Sequence, residues 1–407
     1  MFYTILLFNF NAVEPKVIVI GGGICGLLTA YFLNQKGFKV QVIEQKTGVG
    51  LGASFANGSQ ISFSHINPIY LNDKTRFSFL KKSQKYDNTI KKNDTVKTLL
   101  EMQKEAKHHS SSHLKSLASL ASISLETLND LMKDEELAKH IKPCGIMHLF
   151  ESEAEMKEEE VRAKSYNMPF QVLSLSELKE KEPNLEYFNA DFKGGVFYPE
   201  DKTSNCHEIC KILEAKLKDR GVEFSFNTKV QKLNTFGGTI TSITLEDNTE
   251  LKASYFVCVS GALIPNLVKD LGLDYPIFPV RGYSYTFNME GSNYAPFIGL
   301  IDRKRKMVYS LYKNYLRVGG FFDAGVEKQA DINSRLEDFK ETIFEAFPLL
   351  RRNKIAHKWT ENRPFTPSCV PIIGRSDLFE NLFINGGHGA LGFTLSFGSA
   401  KIISELI

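Results

Sequence analysis

Apolar and polar positions near the start of the chain follow a strand, helix, strand order. Val17 to Ile20 form a short apolar run, which is typical of a buried parallel strand, and three glycines follow it. A helical pattern then continues to Gly37, and residues 38–43 form a second apolar strand before Glu44. The pattern therefore predicts a βαβ unit that places Glu44 at the end of its second strand.

The same order returns later in the chain. The pattern predicts a helix over 206–220, a strand over 222–226 and another buried strand over 255–259. A further strand begins at Asn381 and leads into a glycine-rich turn and a terminal helix. We therefore expect an α/β fold with a parallel sheet assembled from separate parts of the chain.

The remaining segments have a different pattern. Residues 95–131 predict one or two amphipathic helices, and residues 153–164 predict a highly charged helix that faces solvent. From Val280 to Phe287, apolar and polar residues alternate as in a half-exposed antiparallel strand, and 307–321 continue a meander before an amphipathic helix over 331–350. This block predicts an α+β domain with a mostly antiparallel sheet.

Composition and charge narrow the class of partner. The 407 residues are 43% hydrophobic, which is enough for two cores, and 50 basic against 47 acidic residues give no indication of nucleic-acid binding. The six cysteines lack metal-ligand spacing, which indicates a reduced, intracellular protein. His108, His109 and His113 share a helical region, but without a convincing further ligand we expect a solvated face and no metal.

The first glycines form a dinucleotide-binding pattern. Gly21 permits a tight turn, Gly23 lets the backbone approach a pyrophosphate, and Gly26 lets helix and strand pack closely. The pyrophosphate would lie at the helix N-terminus, where free N–H groups and the helix dipole favour negative charge. Glu44 can accept hydrogen bonds from two ribose hydroxyls, and an acid at this position favours FAD or NAD over NADP.

A small, polar, glycine-rich segment over 51–60 decides between FAD and NAD. On composition alone it is only a loop, although short side chains would let it approach a flavin ring. Taken with the glycine pattern, Ser54 to Asn57 with Gly58 and Gln60 resembles the second flavin-contacting segment of the D-amino-acid oxidase superfamily. Within that superfamily it resembles the bacterial D-amino-acid dehydrogenases, which implies FAD.

The resemblance extends along most of the chain. The further matching segments are 144–150, 194–230 with its Asp201-x-Thr-x-x-Cys206 pattern, Pro279–Ser284, Arg317–Gly320, Arg363–Pro367 with Pro371–Gly374, and Asn385–Gly392. Ser368 and Cys369 depart from the family pattern, which usually has Asp-Gly there. The family fold implies a discontinuous Rossmann-like FAD-binding domain and a substrate-binding domain. The predicted bounds are 15–66, 203–272 and 359–407 for the first, and 67–202 and 273–358 for the second.

Motif and resemblance together indicate which residues contact FAD. The backbone of Val230 is expected to pair with the adenine, and the N–H groups of residues 386–394 are expected to stabilise the negative charge of the reduced ring. The predicted FAD-binding residues are Gly21, Gly22, Gly23, Ile24, Gly26, Glu44, Gln45, Ser54, Asn57, Gly58, Gln60, Val230, Gly261, Gly387, His388, Gly389, Leu391, Gly392 and Thr394.

The resemblance implies oxidative deamination of D-amino acids such as D-alanine to 2-oxo acids and ammonia, with electrons passed to a quinone. It places Arg363 at the substrate carboxylate, which an arginine can bind with two parallel hydrogen bonds, although a surface ion pair is the alternative. Tyr283 and His388 are further catalytic candidates. For His388 the backbone is favoured over the imidazole, because desolvation of the substrate amine can replace a dedicated base.

Other functions remain open at this point. An O₂-using oxidase of the glycine or sarcosine type and a flavin-dependent 2-hydroxy-acid dehydrogenase are the enzymatic alternatives, and a flavin-retaining interaction protein is the non-enzymatic one. Met1 to Phe10 is too short to span a bilayer and lacks the features of a signal peptide, so a poorly ordered leader or edge strand is expected. We expect a cytoplasmic protein, with peripheral attachment to the inner face of the cell membrane as the alternative.

Overall fold

A computed structural model describes residues 15–69, 90, 93–165 and 168–407. Its helices are α1 (Ile24–Gln35), α2 (Asp94–Ala106), α3 (Ser110–Leu131), α4 (Glu135–Ala138), α5 (Glu153–Ser165), α6 (Leu175–Lys181), α7 (Cys206–Asp219), α8 (Ile264–Val268), α9 (Gln329–Ala346) and α10 (Gly392–Leu406). Its strands are β1 (Lys16–Ile20), β2 (Lys39–Ile43), β3 (Gln60–Ile61), β4 (Ile141–Lys142), β5 (Ile146–Phe150), β6 (Gln171–Ser174), β7 (Gly194–Tyr198), β8 (Lys202–Ser204), β9 (Glu223–Ser225), β10 (Val230–Phe236), β11 (Thr239–Leu245), β12 (Glu250–Leu251), β13 (Tyr255–Cys258), β14 (Phe278–Asn288), β15 (Gly299–Asp302), β16 (Met307–Tyr312), β17 (Tyr315–Ala324), β18 (Ile355–Phe365), β19 (Ile372–Arg375) and β20 (Leu382–Gly386).

A six-stranded sheet carries the N-terminal βαβ unit. Its strand order is β19, β20, β13, β1, β2, β9, and every neighbouring pair is parallel except β19 with β20. Val17 to Ile20 are almost fully buried, because both faces of the sheet are covered. The predicted α/β fold with a Rossmann-like parallel sheet is confirmed.

Helices cover one face of this sheet, and a small sheet covers the other. Helix α1 packs against α7 and α10, and α10 packs in turn against α3. On the opposite face, Ile18 and Ile20 of β1 share a core with Ile243 of β11 and Ile264 of α8. The three-stranded sheet β10, β11, β12 therefore closes the second layer.

An eight-stranded sheet forms the second part of the fold. Its order is β18, β14, β17, β16, β15, β5, β7, β6, and its pairs are antiparallel except β15 with β5. Helix α9 packs on β14 and β17 and encloses a core that includes Tyr285, Phe339 and Phe347. The predicted mostly antiparallel sheet is confirmed.

One prediction about exposure was wrong. Strand β14 is not half-exposed, because it lies between β17 and β18 with both faces covered, and most of its residues are buried. Helix α5 does face solvent over most of its length, as expected, but Glu159 in its middle is fully buried and accepts hydrogen bonds from Tyr198 and Arg162. The region 95–131 forms two helices, α2 and α3, which a short 3₁₀ turn over Lys107–His109 joins.

The predictions for the N-terminal segment and for the domain bounds are not tested by the structure. Met1 to Phe10 lies outside the described residues. The domain bounds remain predictions, although the six-stranded sheet does take its strands from three separate parts of the chain, 16–43, 223–258 and 372–386. Among the described residues, no helix combines the length and the apolar character that crossing a membrane requires.

Candidate active site

The connection between β1 and α1 contains two glycines, Gly21 and Gly26, that no other residue could replace without strain. Gly21 has φ +124°, a conformation that side-chain-bearing residues rarely adopt. A Cβ on Gly26 would lie 1.9 Å from the carbonyl oxygen of Gly21, so helix and turn are in direct backbone contact. The roles predicted for these two glycines match this geometry.

Glu44 fixes the same turn from the neighbouring strand. Its Oε2 accepts a hydrogen bond from the Gly22 N–H at 2.7 Å, and its Oε1 accepts one from the Lys46 N–H at 2.8 Å. Each carboxylate oxygen retains a lone pair for another donor. Gln45, the next residue, is exposed.

The first turn of α1 offers N–H groups to an anion. The N–H of Ile24 donates to Ser54 Oγ at 3.1 Å, whereas no acceptor among the described residues receives the N–H of Gly23. The first turn carries no acidic side chain, and a Cβ on Gly23 would approach only Ser54 Oγ, at 3.4 Å. Free donors beside an open glycine surface fit the pyrophosphate of a dinucleotide.

Residues 54–60 lie between this turn and the eight-stranded sheet. Asn57 Oδ1 accepts from the Ser59 N–H at 3.0 Å, and a Cβ on Gly58 would lie 2.8 Å from Val308. Gln60 directs its amide towards the sheet and donates to the Leu300 carbonyl at 3.0 Å. The loop is thus held in one conformation by its own backbone and by the sheet beneath it.

The C-terminal turn approaches the same region from strand β20. Gly387 and Gly389 have positive φ values of 80° and 55°, and a 3₁₀ turn that includes Leu391 leads into α10 at Gly392. Thr394, in the first turn of α10, accepts the Ser62 N–H through its Oγ1 at 3.0 Å. This hydrogen bond therefore joins the C-terminal turn to the segment that follows β3.

The imidazole of His388 is directed into the protein. It is buried, its Nε2 lies 3.0 Å from Ser399 Oγ, and its Nδ1 lies 4.0 Å from Cys25 Sγ. Burial lowers the pKa of His388 to about 4, so the ring is neutral at pH 7. This environment is compatible with a backbone role for His388 and unfavourable for a general base.

Val230 and Gly261 lie near the carboxyl edge of the parallel sheet, where ligands bind in open α/β folds. Val230 begins β10, shortly after β9, and is half-buried. Gly261 follows β13 with φ +63°, and a Cβ built on it would meet no heavy atom within 4 Å. Their predicted contacts with FAD remain predictions.

Arg363 lies on β18, the edge strand of the eight-stranded sheet. Its guanidinium group covers Gly282, where a Cβ would lie 2.1 Å from Cζ, and it lies 4.5 Å from the centre of the Phe322 ring. Nη1 donates to the Phe321 carbonyl at 2.7 Å, and burial lowers the pKa of Arg363 to about 10. No carboxylate among the described residues lies within ion-pair distance of Arg363, so the alternative of a surface ion pair has no support from this part of the chain.

Tyr283 does not line the same side of the sheet. Successive residues of a strand point to opposite faces, and Gly282 and Ser284 face Arg363 and the 54–60 loop. The ring of Tyr283 lies on the other face, where it is fully buried against Phe321 and Phe339. This position is unfavourable for a catalytic role of Tyr283, which stays an untested prediction.

Comparison with known proteins decides the family. The model of the FAD dependent oxidoreductase family matches residues 16–406. The chain belongs to this family. FAD is therefore the cofactor of this chain.

Curated relatives of this FAD dependent oxidoreductase carry more specific names. A D-amino acid dehydrogenase of Neisseria meningitidis is 29% identical over 402 residues, which cover 96% of this chain and 95% of the relative. A D-amino acid dehydrogenase of Paramagnetospirillum magneticum is 30% identical over 405 residues, with 96% and 94% covered. Both relatives are similar along nearly their whole length.

Solved structures show the same fold at low identity. Glycine oxidase from Geobacillus kaustophilus has a TM-score of 0.71 and 18% identity, covering 97% of this chain and 95% of its own. Iminodiacetate oxidase from Chelativorans sp. BNC1 has a TM-score of 0.72 and 17% identity, covering 96% and 94%. These likenesses establish the architecture of the family member described here.

The sequence did not predict a role at the 54–60 loop for three residues of this FAD dependent oxidoreductase. Ser284 Oγ donates to the Ala56 carbonyl at 2.6 Å, Ser310 Oγ donates to the Gly58 carbonyl at 2.9 Å, and Arg317 Nη1 donates to Ser59 Oγ at 3.0 Å. They lie on three adjacent strands, β14, β16 and β17. Only the strand register shows that the three side chains reach one loop.

Proposed function

We propose that this flavoenzyme oxidises D-amino acids to 2-oxo acids and ammonia and passes the electrons to a quinone or another acceptor than O₂. The observation that carries the proposal is the guanidinium group of Arg363. It is partly buried on the face of the sheet whose Ser284 holds the 54–60 loop, and it has no carboxylate partner among the described residues. The D-amino acid dehydrogenase names of the relatives support the same substrate class.

Arg363 would bind the substrate carboxylate. Its Nη1 already donates to the Phe321 carbonyl, and the packing of the guanidinium group on Gly282 and Phe322 fixes the plane of its remaining donors. A substrate carboxylate would supply the negative charge that a desolvated guanidinium group lacks. With the carboxylate fixed, the position of the substrate Cα is set by the length of a single bond.

Bound FAD supplies the acceptor for the hydride that leaves the substrate Cα. Before this transfer the substrate ammonium must lose a proton, and afterwards the imino acid reacts with water to give the 2-oxo acid and ammonium. His388 is poorly suited to take the proton, since its ring lies against Ser399 and its pKa is lowered to about 4. Desolvation of the amine can lower its pKa sufficiently for the proton to leave to water.

The N–H groups of residues 387–394 would stabilise negative charge on the reduced ring. Positive φ values at Gly387 and Gly389 turn the backbone towards α10, whose N-terminus adds a partial positive charge. The first turn of α10 carries no acidic residue that would oppose this effect.

A half-reaction without an acceptor tests the substrate class. Purified protein is mixed anaerobically with D-alanine, L-alanine, glycine, sarcosine and D-lactate, and the oxidised flavin absorbance is followed. The proposal expects rapid bleaching by D-alanine and other D-amino acids. Bleaching by glycine and sarcosine alone would favour the amine oxidase alternative, and bleaching by D-lactate alone would favour the 2-hydroxy-acid dehydrogenase.

The acceptor is tested separately with the reduced enzyme. A quinone analogue should restore the oxidised absorbance much faster than air-saturated buffer does. Full-rate turnover with stoichiometric peroxide would instead make the protein an oxidase. A quinone acceptor would also be consistent with peripheral attachment to the inner face of the cell membrane, which sedimentation with quinone-containing vesicles measures directly.

Replacing Arg363 by Lys tests the carboxylate contact. The variant keeps the charge and loses the planar fork, so we expect kcat/KM for D-amino acids to fall about 30- to 1,000-fold, equivalent to about 2–4 kcal/mol. The exposed Arg352 offers a matched control, since Arg352→Lys should leave kcat/KM unchanged. FAD content should stay the same in both variants. An Arg363→Lys enzyme with wild-type kcat/KM would remove this residue from the site.

A further inference from the structure

Arg317 is a buried cation that has no acidic partner in the described part of the chain. The side chain lies on β17 and is 3% exposed, and no carboxylate among the described residues lies within ion-pair distance of its guanidinium group. A buried charge normally has a counter-charge, because transfer of an ion out of water is costly. Glu208, an acid that influences Arg317 electrostatically, is itself bound by His140 and Lys313.

Neutral hydroxyl groups hold the guanidinium group instead. Nε donates to Thr286 Oγ1 at 3.1 Å, Nη1 donates to Ser59 Oγ at 3.0 Å, and Nη2 donates to Tyr312 Oη at 2.8 Å. The guanidinium carbon also lies 5.0 Å from the centre of the Tyr312 ring. These contacts fix the position of the charge but do not neutralise it.

One of the three contacts leads directly to the loop expected to touch the flavin. Ser59 lies between Gly58 and Gln60 and has a positive φ of 56°, a strained conformation for a serine. Ser284 and Ser310 anchor the same loop through the carbonyls of Ala56 and Gly58. The loop is thus held by one cation and two hydroxyl groups of the sheet.

We propose that Arg317 is a positioning residue that holds the 56–59 loop and that its uncompensated positive charge raises the reduction potential of the bound flavin. The inference rests on the flavin contact proposed for residues 54–60 and is independent of which substrate donates the electrons. Two-electron reduction adds negative charge to the flavin, and a fixed cation in a poorly solvated region favours the more negative form.

The potential is measured by equilibrating the holoenzyme with a reference dye during chemical reduction. Arg317→Gln keeps hydrogen-bonding groups but removes the charge, so the ratio of reduced to oxidised flavin at a fixed potential should fall about tenfold. This corresponds to about 30 mV for a two-electron couple. Arg317→Lys keeps the charge and should retain most of the wild-type potential.

Ser310→Ala is the matched control. It removes one anchor of the same loop, the hydrogen bond to the Gly58 carbonyl, without a change in charge. Its potential should match that of the wild-type protein even where FAD binds more weakly. An Arg317→Gln enzyme with the wild-type potential, or equal shifts in all three variants, would overturn the proposal.

A second measurement avoids dependence on the Gln variant. In Arg317→Lys the buried ammonium should have a lowered pKa, so raising the pH to 10 removes its charge within a single protein. The ionisable groups nearest to this position are Tyr312, Glu208, His207 and Cys206. The potential of the Lys variant should fall with pH more steeply than that of the wild-type protein, and parallel slopes would contradict the proposal. Neither result depends on turnover of D-amino acids.

Discussion

In the six-stranded sheet, the residues of the site follow the ends of strands, as Gly21 follows β1 and Glu44 follows β2. In the eight-stranded sheet, they lie within the strands themselves, as Ser310, Arg317 and Arg363 do. A residue in a loop after a parallel strand reaches the common carboxyl edge of the sheet. A residue within an antiparallel strand reaches the site only if its side chain is on the correct face.

This difference decides what each sheet contributes. The turn after β1 and the start of α1 present backbone N–H groups, which suit the phosphates that every FAD carries. The face of the second sheet presents side chains, a guanidinium group on β18 and another on β17 among them. The first sheet therefore offers backbone donors, and the second offers charged side chains, which we propose hold the substrate and tune the cofactor.

The largest expected effect is a loss of stability on replacement of Gly26, and it should distinguish this glycine from Gly23. A Cβ on Gly26 would overlap the Gly21 carbonyl at 1.9 Å, so Gly26→Ala should lower the free energy of unfolding of the FAD-free protein by about 3–5 kcal/mol. Urea unfolding of the FAD-free protein measures this change. A Gly26→Ala variant with wild-type stability would show that the turn can move away from the helix without cost. The close backbone contact would then not be required for the fold.

Gly23 provides the matched comparison. Its φ of −78° and ψ of 178° suit any residue, and its Cβ would meet Ser54 Oγ at an ordinary 3.4 Å. Gly23→Ala should therefore change the free energy of unfolding of the FAD-free protein by no more than about 1 kcal/mol. It should weaken FAD binding at least about tenfold, because the added methyl group would occupy the space through which the pyrophosphate approaches the backbone. Fluorescence titration with FAD detects the loss. If Gly26→Ala and Gly23→Ala changed the free energy of unfolding equally, the assignment of Gly26 to packing and of Gly23 to FAD binding would be wrong.

The two sheets were also unequally predictable from sequence. The βαβ unit could be predicted because its strand, glycines, helix and acid all lie within residues 17–44, so each part constrains the next locally. The direction in which each side chain of β14 points could not be predicted, because both faces of this strand are covered by elements distant in the chain. Tyr283 was assigned to the site and Ser284 was overlooked for that reason, although they are adjacent.

Buried charge was the second limit of prediction. Glu159 belongs to a helix in which eight of the 13 residues are charged, and nothing local marks it as the residue that turns inward. In the fold it accepts from Tyr198 and lies 3.2 Å from His148, which β5 and β7 bring beside it. Arg317 was noticed only as part of a family segment, since its missing counter-charge is a property of the folded protein.

An effect of intermediate size concerns His388 in the turn after β20. Its native pKa of about 4 lies below the unfolded value of about 6.5, so the unfolded chain binds more protons between these values. Stability should therefore fall as the pH drops from 6.5 towards 4, and by about 2 kcal/mol between pH 7 and pH 5. In His388→Gln this part of the pH dependence should disappear.

The measurement is the difference in unfolding free energy between wild-type and variant at the two pH values. Other groups titrate in both proteins and cancel in this difference. A difference that stays constant would mean that the imidazole is solvated in the native state and free to act as a base. That result would move the catalytic assignment from the backbone of His388 to its ring.

The smallest expected effect tests the face assignment of β14. The hydroxyl of Tyr283 lies on the α9 side, where burial and the charge of Asp323 raise its pKa, so it stays protonated. Tyr283→Phe should therefore change stability by no more than about 1 kcal/mol and leave kcat/KM and FAD affinity at wild-type values. Ser284→Ala, one residue away, removes the donor to the Ala56 carbonyl and should weaken FAD binding several-fold. A shift of one residue in the pairing of a strand moves every side chain to the opposite face. A Tyr283→Phe variant with reduced kcat/KM, together with a Ser284→Ala variant with normal FAD affinity, would therefore show that β14 is paired in the other register.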